Sequence, residues 1–231
     1  MIELAVLDIA GTTVEEHGAV YVALEQAVRA AGGTPAAADI HDWMGADKRA
    51  AITALLTGGT GRAPAPQTVE GAFADFRERL RAAYAETPPA PLPGVPEAIA
   101  TLRAAGVKVA LTTGFDREVT DALLGSIGWD DGFLDAVVCV DDVPVGRPAP
   151  YMIFRAMEAT GVHDVGRVLT AGDTVRDLRA GTNAGAAIVA GVLTGSQDAA
   201  ALGAVRHTHL LPGVAAIPAL LSLPPATRAE G

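Results

Sequence analysis

The sequence opens on an almost unbroken apolar run, residues 2–7, which ends at the carboxylate Asp8 and a turn of small residues. Such runs are typical of strands that are buried on both faces of a parallel sheet. Ligands of open parallel sheets bind beyond the carboxyl ends of the strands. Asp8 is therefore predicted to stand where chemistry takes place, although an Asp in this position can also simply cap a turn.

Apolar residues then recur at three- and four-residue spacing, which predicts helices over residues 18–31, 39–56 and 67–84. The proline-rich segment 87–94 follows and indicates a stiff linker. We therefore expect a helical cap domain at residues 15–90, inserted after the first strand.

Beyond the linker, helical and strand patterns alternate. Strands are predicted over 107–113, 136–140, 167–171 and 186–193, and helices over 95–105, 116–125, 151–160, 177–184 and 214–221. This alternation predicts an α/β fold, a Rossmann-like doubly wound parallel sheet with helices on both faces. The core is assigned to residues 1–14 and 91–223, and residues 224–231 to a flexible tail.

Composition narrows the range of partners. The 231 residues carry a net charge of −10, which argues against nucleic acid or an anionic membrane as the partner. The apolar runs are too short to span a bilayer, and Met1 leads directly into a strand. The single cysteine, Cys139, fits a reducing compartment. We expect a cytoplasmic protein.

Polar groups follow four of the predicted strands: Asp8, then Thr113 with Gly114, then Arg147, then Asp173 with Asp177. The carboxyl ends of parallel strands share one edge of the sheet, so these groups are expected to converge. Asp8 and Asp173 are hard oxygen ligands for a divalent cation, and Mg²⁺ suits a site with few carboxylates. Thr113 and Arg147 can hold phosphoryl oxygens, and Asp8 can attack phosphorus.

The turn after the first strand adds candidate anion ligands. Gly11 allows the backbone to turn tightly, and Thr12 offers a hydroxyl and an amide to a bound anion. Both residues are assigned to substrate binding, as is Gly114.

Four motifs occur in order along the chain: Asp8-x-Ala10-Gly11-Thr12, Thr113-Gly114, Gly146-Arg147-Pro148-x-Pro150 and Gly172-Asp173-x-x-x-Asp177. Together they resemble the haloacid dehalogenase superfamily, over essentially the whole chain. The resemblance implies a Rossmann-like core, a mobile cap and a nucleophilic Asp8. It also implies Mg²⁺ bound by Asp8, Asp173 and the Ala10 carbonyl, with Asp177 assigned to the same site.

Two positions resemble the phosphonatase branch of that superfamily. Ala10 stands where most phosphatases of the superfamily carry a second Asp, and Arg147 stands where they carry Lys. Enzymes of the phosphonatase branch cleave a carbon–phosphorus bond with the help of a lysine in the cap. The resemblance therefore implies a small phosphonate, such as phosphonoacetaldehyde, as the substrate.

The cap lysine is assigned to Lys48, in the stretch Met44-Gly45-Ala46-Asp47-Lys48. In a helix over residues 44–56, with about 100° per residue, Lys48 falls in the middle of the apolar arc. An imine between Lys48 and an aldehyde would let the electrons of the broken bond collapse into an enamine. Met44 is assigned to substrate binding.

Other positions depart from the phosphonatase pattern and keep alternatives open. A histidine three residues after the lysine is replaced by Ala51, a tyrosine by Phe115 and a linker cysteine by Gly18. His17, beside Gly18, is a candidate proton-transfer or substrate-binding group, or simply a solvated linker residue. The alternatives are a phosphomonoesterase of the phosphoglycolate phosphatase type and an inactive phosphate-binding protein.

The phosphonatase resemblance also implies a homodimer through the cap helices. The apolar face that carries Tyr21 and Val28 is the expected contact.

Overall fold

A computed structural model describes residues 1–129 and 132–224 of the chain. Apart from Pro224, the predicted tail at residues 224–231 lies outside the described residues. The chain divides into two compact units, one formed by residues 1–15 and the chain from Ala90 onward, the other by residues 16–89. We refer to them as the core unit and the helical unit. The domain boundaries predicted from the sequence differ from these by one residue at each end.

The strands are β1 (Leu4–Asp8), β2 (Val14–Glu15), β3 (Ala90–Pro91), β4 (Lys108–Thr112), β5 (Ala136–Val138), β6 (Val168–Gly172), β7 (Ile188–Val192) and β8 (His209–Leu211). The helices are α1 (Ala19–Ala30), α2 (Ala37–Asp42), α3 (Lys48–Thr60), α4 (Pro66–Glu86), α5 (Val95–Ala104), α6 (Arg117–Ser126), α7 (Tyr151–Thr160), α8 (Val175–Ala184), α9 (Ala199–Gly203) and α10 (Ile217–Leu220).

The core unit is built on a six-stranded sheet in the order β5-β4-β1-β6-β7-β8, and every pairing in it is parallel. The predicted α/β fold with a doubly wound parallel sheet is confirmed. All residues of β1 and β6 are buried, as expected of strands covered on both faces. On one face, Met152, Ile153 and Ala156 of α7 pack against Leu4 and Val6 of β1.

The register of the sheet brings the ends of the central strands together. Asp8 lies beside Thr112 at the end of β4, and Leu7 lies beside Ala171 of β6. Because the strands run in one direction, the polar residues that follow β1, β4 and β6 emerge at the same edge.

A short antiparallel pair closes the core unit where the chain leaves it and returns to it. Val14 pairs with Pro91, and Glu15 pairs with Ala90. The amide of Leu92 also donates to the Thr13 carbonyl at 3.0 Å. Part of the predicted linker 87–94 is thus the strand β3.

The helical unit consists of α1 to α4, with α4 packed against α1 and α3. Its interior contains Leu24, Phe76 and Leu80, all almost fully buried. Of the two residues named for the predicted dimer contact, Val28 is fully buried inside this unit beside Gly33 and Tyr21 is half-buried. The homodimer itself stays a prediction. Val22 is the large apolar residue of α1 that is exposed.

The prediction of one helical region over residues 39–56 is wrong, because the structure contains two helices there, α2 and α3. Gly45 adopts a φ of +72° between them, a conformation that does not continue a helix. Asp47 then caps α3, accepting a hydrogen bond from the amide of Ala50 at 2.6 Å.

None of the helices in the described parts of the chain has both the length and the hydropathy needed to cross a bilayer.

Candidate active site

Three carboxylates meet at the carboxyl edge of the sheet. Asp8 ends β1, Asp173 follows β6 directly, and Asp177 lies in the first turn of α8. One oxygen from each lies within 4.8 Å of the others, and all three residues are buried. The residues predicted to converge here are therefore in contact range, although Asp8 and Asp173 are separated by most of the chain.

A buried guanidinium lies among these carboxylates. Arg147 Nη1 is 2.5 Å from Asp8 Oδ1 and 2.6 Å from Asp177 Oδ1. Both contacts are buried ion pairs. Nη2 donates to the hydroxyl of Thr112 at 2.9 Å. Thr112, which was not among the predicted site residues, thus fixes the arginine from the end of β4.

Burial makes the ionised carboxylates costly. It raises the pKa of Asp8 to about 8, against the opposing charge of Arg147. Burial, followed by the charge of Asp177, raises the pKa of Asp173 to about 6, while hydrogen bonds from Ser196 and Thr12 act in the opposite direction. Arg147 supplies one positive charge for three carboxylates, and buried oxygen donors of this kind are the ligands of Mg²⁺ and Ca²⁺. The donor set therefore fits a divalent cation.

The orientation of Asp177 is set by a capping box at the start of α8. Its Oδ2 accepts from the Thr174 amide at 3.0 Å and from the Thr174 hydroxyl at 2.5 Å. A Cβ at Gly172 would lie 2.2 Å from the Asp177 side chain. Glycine at this position therefore allows the carboxylate to lie directly against the end of β6.

Asp173 is held from both sides. Thr12 donates its hydroxyl to Asp173 Oδ1 at 3.1 Å. Ser196 donates its amide to Asp173 Oδ2 at 2.8 Å and its hydroxyl to the same oxygen at 2.9 Å. Ser196 was not among the predicted site residues, although Thr194, Gly195 and Ser196 directly follow a predicted strand end.

The turn after β1 uses its polar groups internally. The amide of Gly11 donates to the Val14 carbonyl at 2.8 Å, and that of Thr12 to the Ile9 carbonyl at 3.2 Å. The Thr12 hydroxyl, predicted to face an anion, binds Asp173. Anion binding by Gly11 and Thr12, and metal binding by the Ala10 carbonyl, stay predictions.

Thr113 and Gly114 lie buried just beyond β4, at the same edge. The Thr113 hydroxyl accepts a hydrogen bond from the Phe115 amide at 3.1 Å. The backbone amide of Thr113 donates to the Val138 carbonyl at 3.1 Å. The amide of Phe115 thus orients the Thr113 oxygen.

Lys48 is the first residue of α3 in the helical unit. Its side chain is buried, and Nζ donates to the Ala46 carbonyl at 2.9 Å. Ile52 and Leu55, expected on the same apolar arc, are also buried. Met44 is half-buried, and it lies in the turn before α3 and not in the helix.

His17 is exposed and has a left-handed backbone, with a φ of +57°. Ala51, at the position of the missing histidine, is fully buried.

Comparison with known proteins identifies relatives for most of the chain. A model of haloacid dehalogenase-like hydrolases matches residues 2–185. A phosphonoacetaldehyde hydrolase from a strain of Bacillus cereus is 36% identical over 141 residues, which are 60% of this chain and 52% of that protein. The chain thus spans about half the length of the curated relatives that it matches.

Solved structures share the fold at low sequence identity. A hydrolase from Pseudomonas syringae superimposes with a TM-score of 0.84 at 20% identity, over 95% of this chain and 98% of that one. A phosphonoacetaldehyde hydrolase-like protein from Oleispira antarctica has a TM-score of 0.78 at 20% identity, over 96% and 91% of the two chains.

Proposed function

The chain belongs to the haloacid dehalogenase-like hydrolase family, and from this premise we propose that it is a Mg²⁺-dependent hydrolase of small phosphonates. Phosphonoacetaldehyde, or a closely related phosphorylated aldehyde, is the proposed substrate. Asp8 is the proposed nucleophile and Lys48 the proposed imine-forming amine.

The observation that carries this proposal is the composition of the buried cluster. It contains a carboxylate that can attack phosphorus, Asp8, and an arginine, Arg147, whose Nη1 lies 2.5 Å from Asp8 Oδ1. A methyl group, Ala10, stands where most phosphatases of the superfamily have a second carboxylate. The 36% identity to a phosphonoacetaldehyde hydrolase over 141 residues supports the same substrate class.

Asp8 and Asp173 would hold the proposed Mg²⁺, with Asp177 beside them and the Ala10 carbonyl as a further predicted ligand. When bound, the cation would neutralise phosphoryl oxygens and make phosphorus a better electrophile. Arg147 would neutralise a further phosphoryl oxygen, and Thr113 would donate its hydroxyl to another. Gly11, Thr12, Gly114, Met44 and His17 are proposed to contact the substrate.

The proposed reaction begins with the Lys48 amine and the aldehyde carbon, which form an imine and release one water. An oxygen of Asp8 attacks phosphorus and the carbon–phosphorus bond breaks. The imine takes up one proton from solvent to become an iminium, whose nitrogen accepts the released electron pair, and an enamine forms. The enamine carbon takes up a second proton from solvent, and one water hydrolyses the resulting iminium to acetaldehyde, the free Lys48 amine and one proton. A second water cleaves the aspartyl-phosphate, giving phosphate, the Asp8 carboxylate and the second proton, so that one water is consumed overall.

A second candidate is a phosphomonoesterase acting on a small phosphorylated acid or sugar. It is favoured by Ala51 and Phe115, two buried apolar residues at positions where phosphonatases carry groups linked to the lysine chemistry. Ester hydrolysis needs no imine and is unaffected by these replacements. Ala10 counts against it, because loss of a general acid typically costs ~10²–10⁴-fold in rate.

Borohydride trapping separates the candidates. The protein is incubated with phosphonoacetaldehyde, reduced with borohydride and mapped by mass spectrometry. The chain has two lysines, Lys48 and Lys108. Lys108 lies on the core unit with half of its side chain exposed, 3.4 Å from Asp135, so it serves as an internal control. We expect an adduct on Lys48 and none on Lys108.

Equal labelling of both lysines would contradict the imine role. No adduct, together with turnover of phosphate esters, would favour the phosphomonoesterase. Inactivity towards phosphonates and esters alike would favour the phosphate-binding protein.

A further inference from the structure

The loop of residues 193–197, between β7 and α9, is tied to both turns that carry the candidate metal ligands. Thr194 donates its hydroxyl to the Gly11 carbonyl at 2.7 Å, in the turn after β1. Gln197 accepts from the amide of Val175 at 2.7 Å, at the start of α8. The loop therefore connects the two places where the sheet presents its carboxylates.

Within this loop, Ser196 contacts Asp173 directly, and the two Asp173 oxygens are treated differently. Oδ2 accepts two hydrogen bonds, from the Ser196 amide at 2.8 Å and the Ser196 hydroxyl at 2.9 Å. Oδ1 accepts one, from Thr12 at 3.1 Å. A carboxylate oxygen has two lone-pair sites, so Oδ2 is saturated by Ser196 while Oδ1 retains a free site.

We propose that Ser196 is a positioning residue for the metal site, which fixes the rotation of the Asp173 carboxylate so that Oδ1 is the oxygen offered to the cation. The inference rests on the proposed divalent-metal site and assigns Ser196 no contact with substrate. Hydrogen bonds to ligating carboxylates orient them, and removing such partners typically weakens metal binding by about 10–100-fold.

Gly195 makes this contact possible. A Cβ at residue 195 would lie 2.1 Å from Asp173 Oδ2 and 2.3 Å from its Cγ, closer than any real contact. Only glycine lets the loop approach the carboxylate closely enough for the next residue to donate twice. A side chain at this position would displace either the loop or Asp173, so Gly195→Ala is expected to weaken metal binding at least as strongly as loss of the Ser196 hydroxyl.

The competing explanation is that the loop only ties strands together. Thr194 supplies the matched control, because Thr194→Val removes a hydroxyl from the same loop without touching Asp173. The conservative variant Ser196→Thr keeps the hydroxyl. Asp173→Asn removes the charge of a proposed metal ligand. The heat of Mg²⁺ binding that is lost in this variant is therefore the heat of binding at this site.

The test is calorimetric titration of the metal-free protein and these variants with Mg²⁺ alone, with circular dichroism to verify folding. We expect Ser196→Ala to weaken Mg²⁺ binding about tenfold or more. Ser196→Thr should stay close to the wild type and Thr194→Val within about twofold of it.

Wild-type affinity in Ser196→Ala, when the wild-type protein itself binds Mg²⁺, would overturn the positioning role and leave the proposed function intact. Equal weakening by Thr194→Val and Ser196→Ala would also overturn it, since a general loosening of the loop would then explain both. Absence of Mg²⁺ binding to the wild type would overturn the metal site itself and the inference with it.

Discussion

The core unit and the helical unit hold their candidate catalytic groups in different ways. At the sheet edge, the contacts on Asp173 come from residues far apart in the chain, with Thr12 separated from it by 161 positions. In the helical unit, the Lys48 ammonium binds the carbonyl of Ala46, two residues away. The first arrangement requires the whole sheet to be assembled, whereas this second contact requires only the start of one helix.

This difference suggests a division of labour within the proposed reaction. Phosphorus chemistry depends on Asp8 and the groups around it, whatever the leaving group is. The proposed amine chemistry depends on Lys48, a residue of the inserted helical unit. The function of a protein depends on its site residues more than on its fold. Here the proposed reaction uses Asp8 of the core unit and Lys48 of the helical unit.

The largest expected effect comes from the core unit. Asp8→Asn removes the nucleophile, so turnover of phosphonoacetaldehyde and of any phosphate ester should both fall on the order of 10⁴–10⁶-fold. Initial rates of phosphate release measure both. Asp121→Asn, on the exposed surface of α6, is the matched control and should retain activity. A substantial residual rate in Asp8→Asn would show that phosphorus is attacked by another group.

The helical unit should give a smaller and selective effect. Lys48→Arg keeps a positive charge but cannot form an imine, so phosphonoacetaldehyde turnover should fall by ~10²–10⁴-fold, as when one catalytic group is lost. Any ester hydrolysis should change little. Lys108→Arg is the control, measured in the same two assays. Parallel loss of both activities in Lys48→Arg would remove the proposed division between the units.

The smallest expected effect concerns stability. Burial raises the pKa of Asp8 to about 8 and that of Asp173 to about 6, from an ordinary value of 3.8. Between about pH 4 and pH 8 the folded protein holds protons that the unfolded chain has released, so the free energy of unfolding falls as pH rises. For a chain of this size, 1 kcal/mol corresponds to about 2–4 °C in Tm.

The metal-free Tm should therefore decline across that range, and Mg²⁺ should raise Tm more at the alkaline end, where it binds ionised carboxylates. Thermal unfolding at several pH values, with and without Mg²⁺, measures both trends. Asp8→Asn should flatten the decline and Asp121→Asn should not. A metal-free Tm that rises with pH over this range would contradict the raised pKa values.

Much of the core unit was predictable because its strands are short apolar runs followed by polar residues. The helix Tyr151–Thr160 was predicted with its observed ends, and β1, β4, β5, β6 and β7 were predicted to within two residues. The short strands β2, β3 and β8 were not predicted as strands. The break between α2 and α3 was missed, since the apolar spacing continues across it. Its local signals were present in Gly45 and in Asp47, an N-cap residue before Lys48.

In the candidate site, the convergence of Asp8, Asp173 and Asp177 followed from one rule about parallel strands. That rule also applies to the end of β7, where Ser196 lies. The loop of residues 193–197 contains no carboxylate, and for this reason it was not predicted to belong to the site. The hydrogen-bond partners of individual side chains could not be predicted, because they depend on the folded positions of residues that are distant in the sequence. The sequence does not reveal that the hydroxyl of Thr12 is bonded to Asp173 and not open to an anion.

The pairing of β2 with β3 has a consequence for how this protein can change over evolution. The chain segments before and after the helical unit are β2 and β3, which pair with each other. Residues 16–89 are therefore an insertion whose two ends are held together. Lengthening such an insertion costs little loop-closure entropy. Its length and sequence can therefore change while the register of β1 stays fixed. Residues 16–89 can thus vary in length and content while the sheet edge that carries Asp8 keeps its structure.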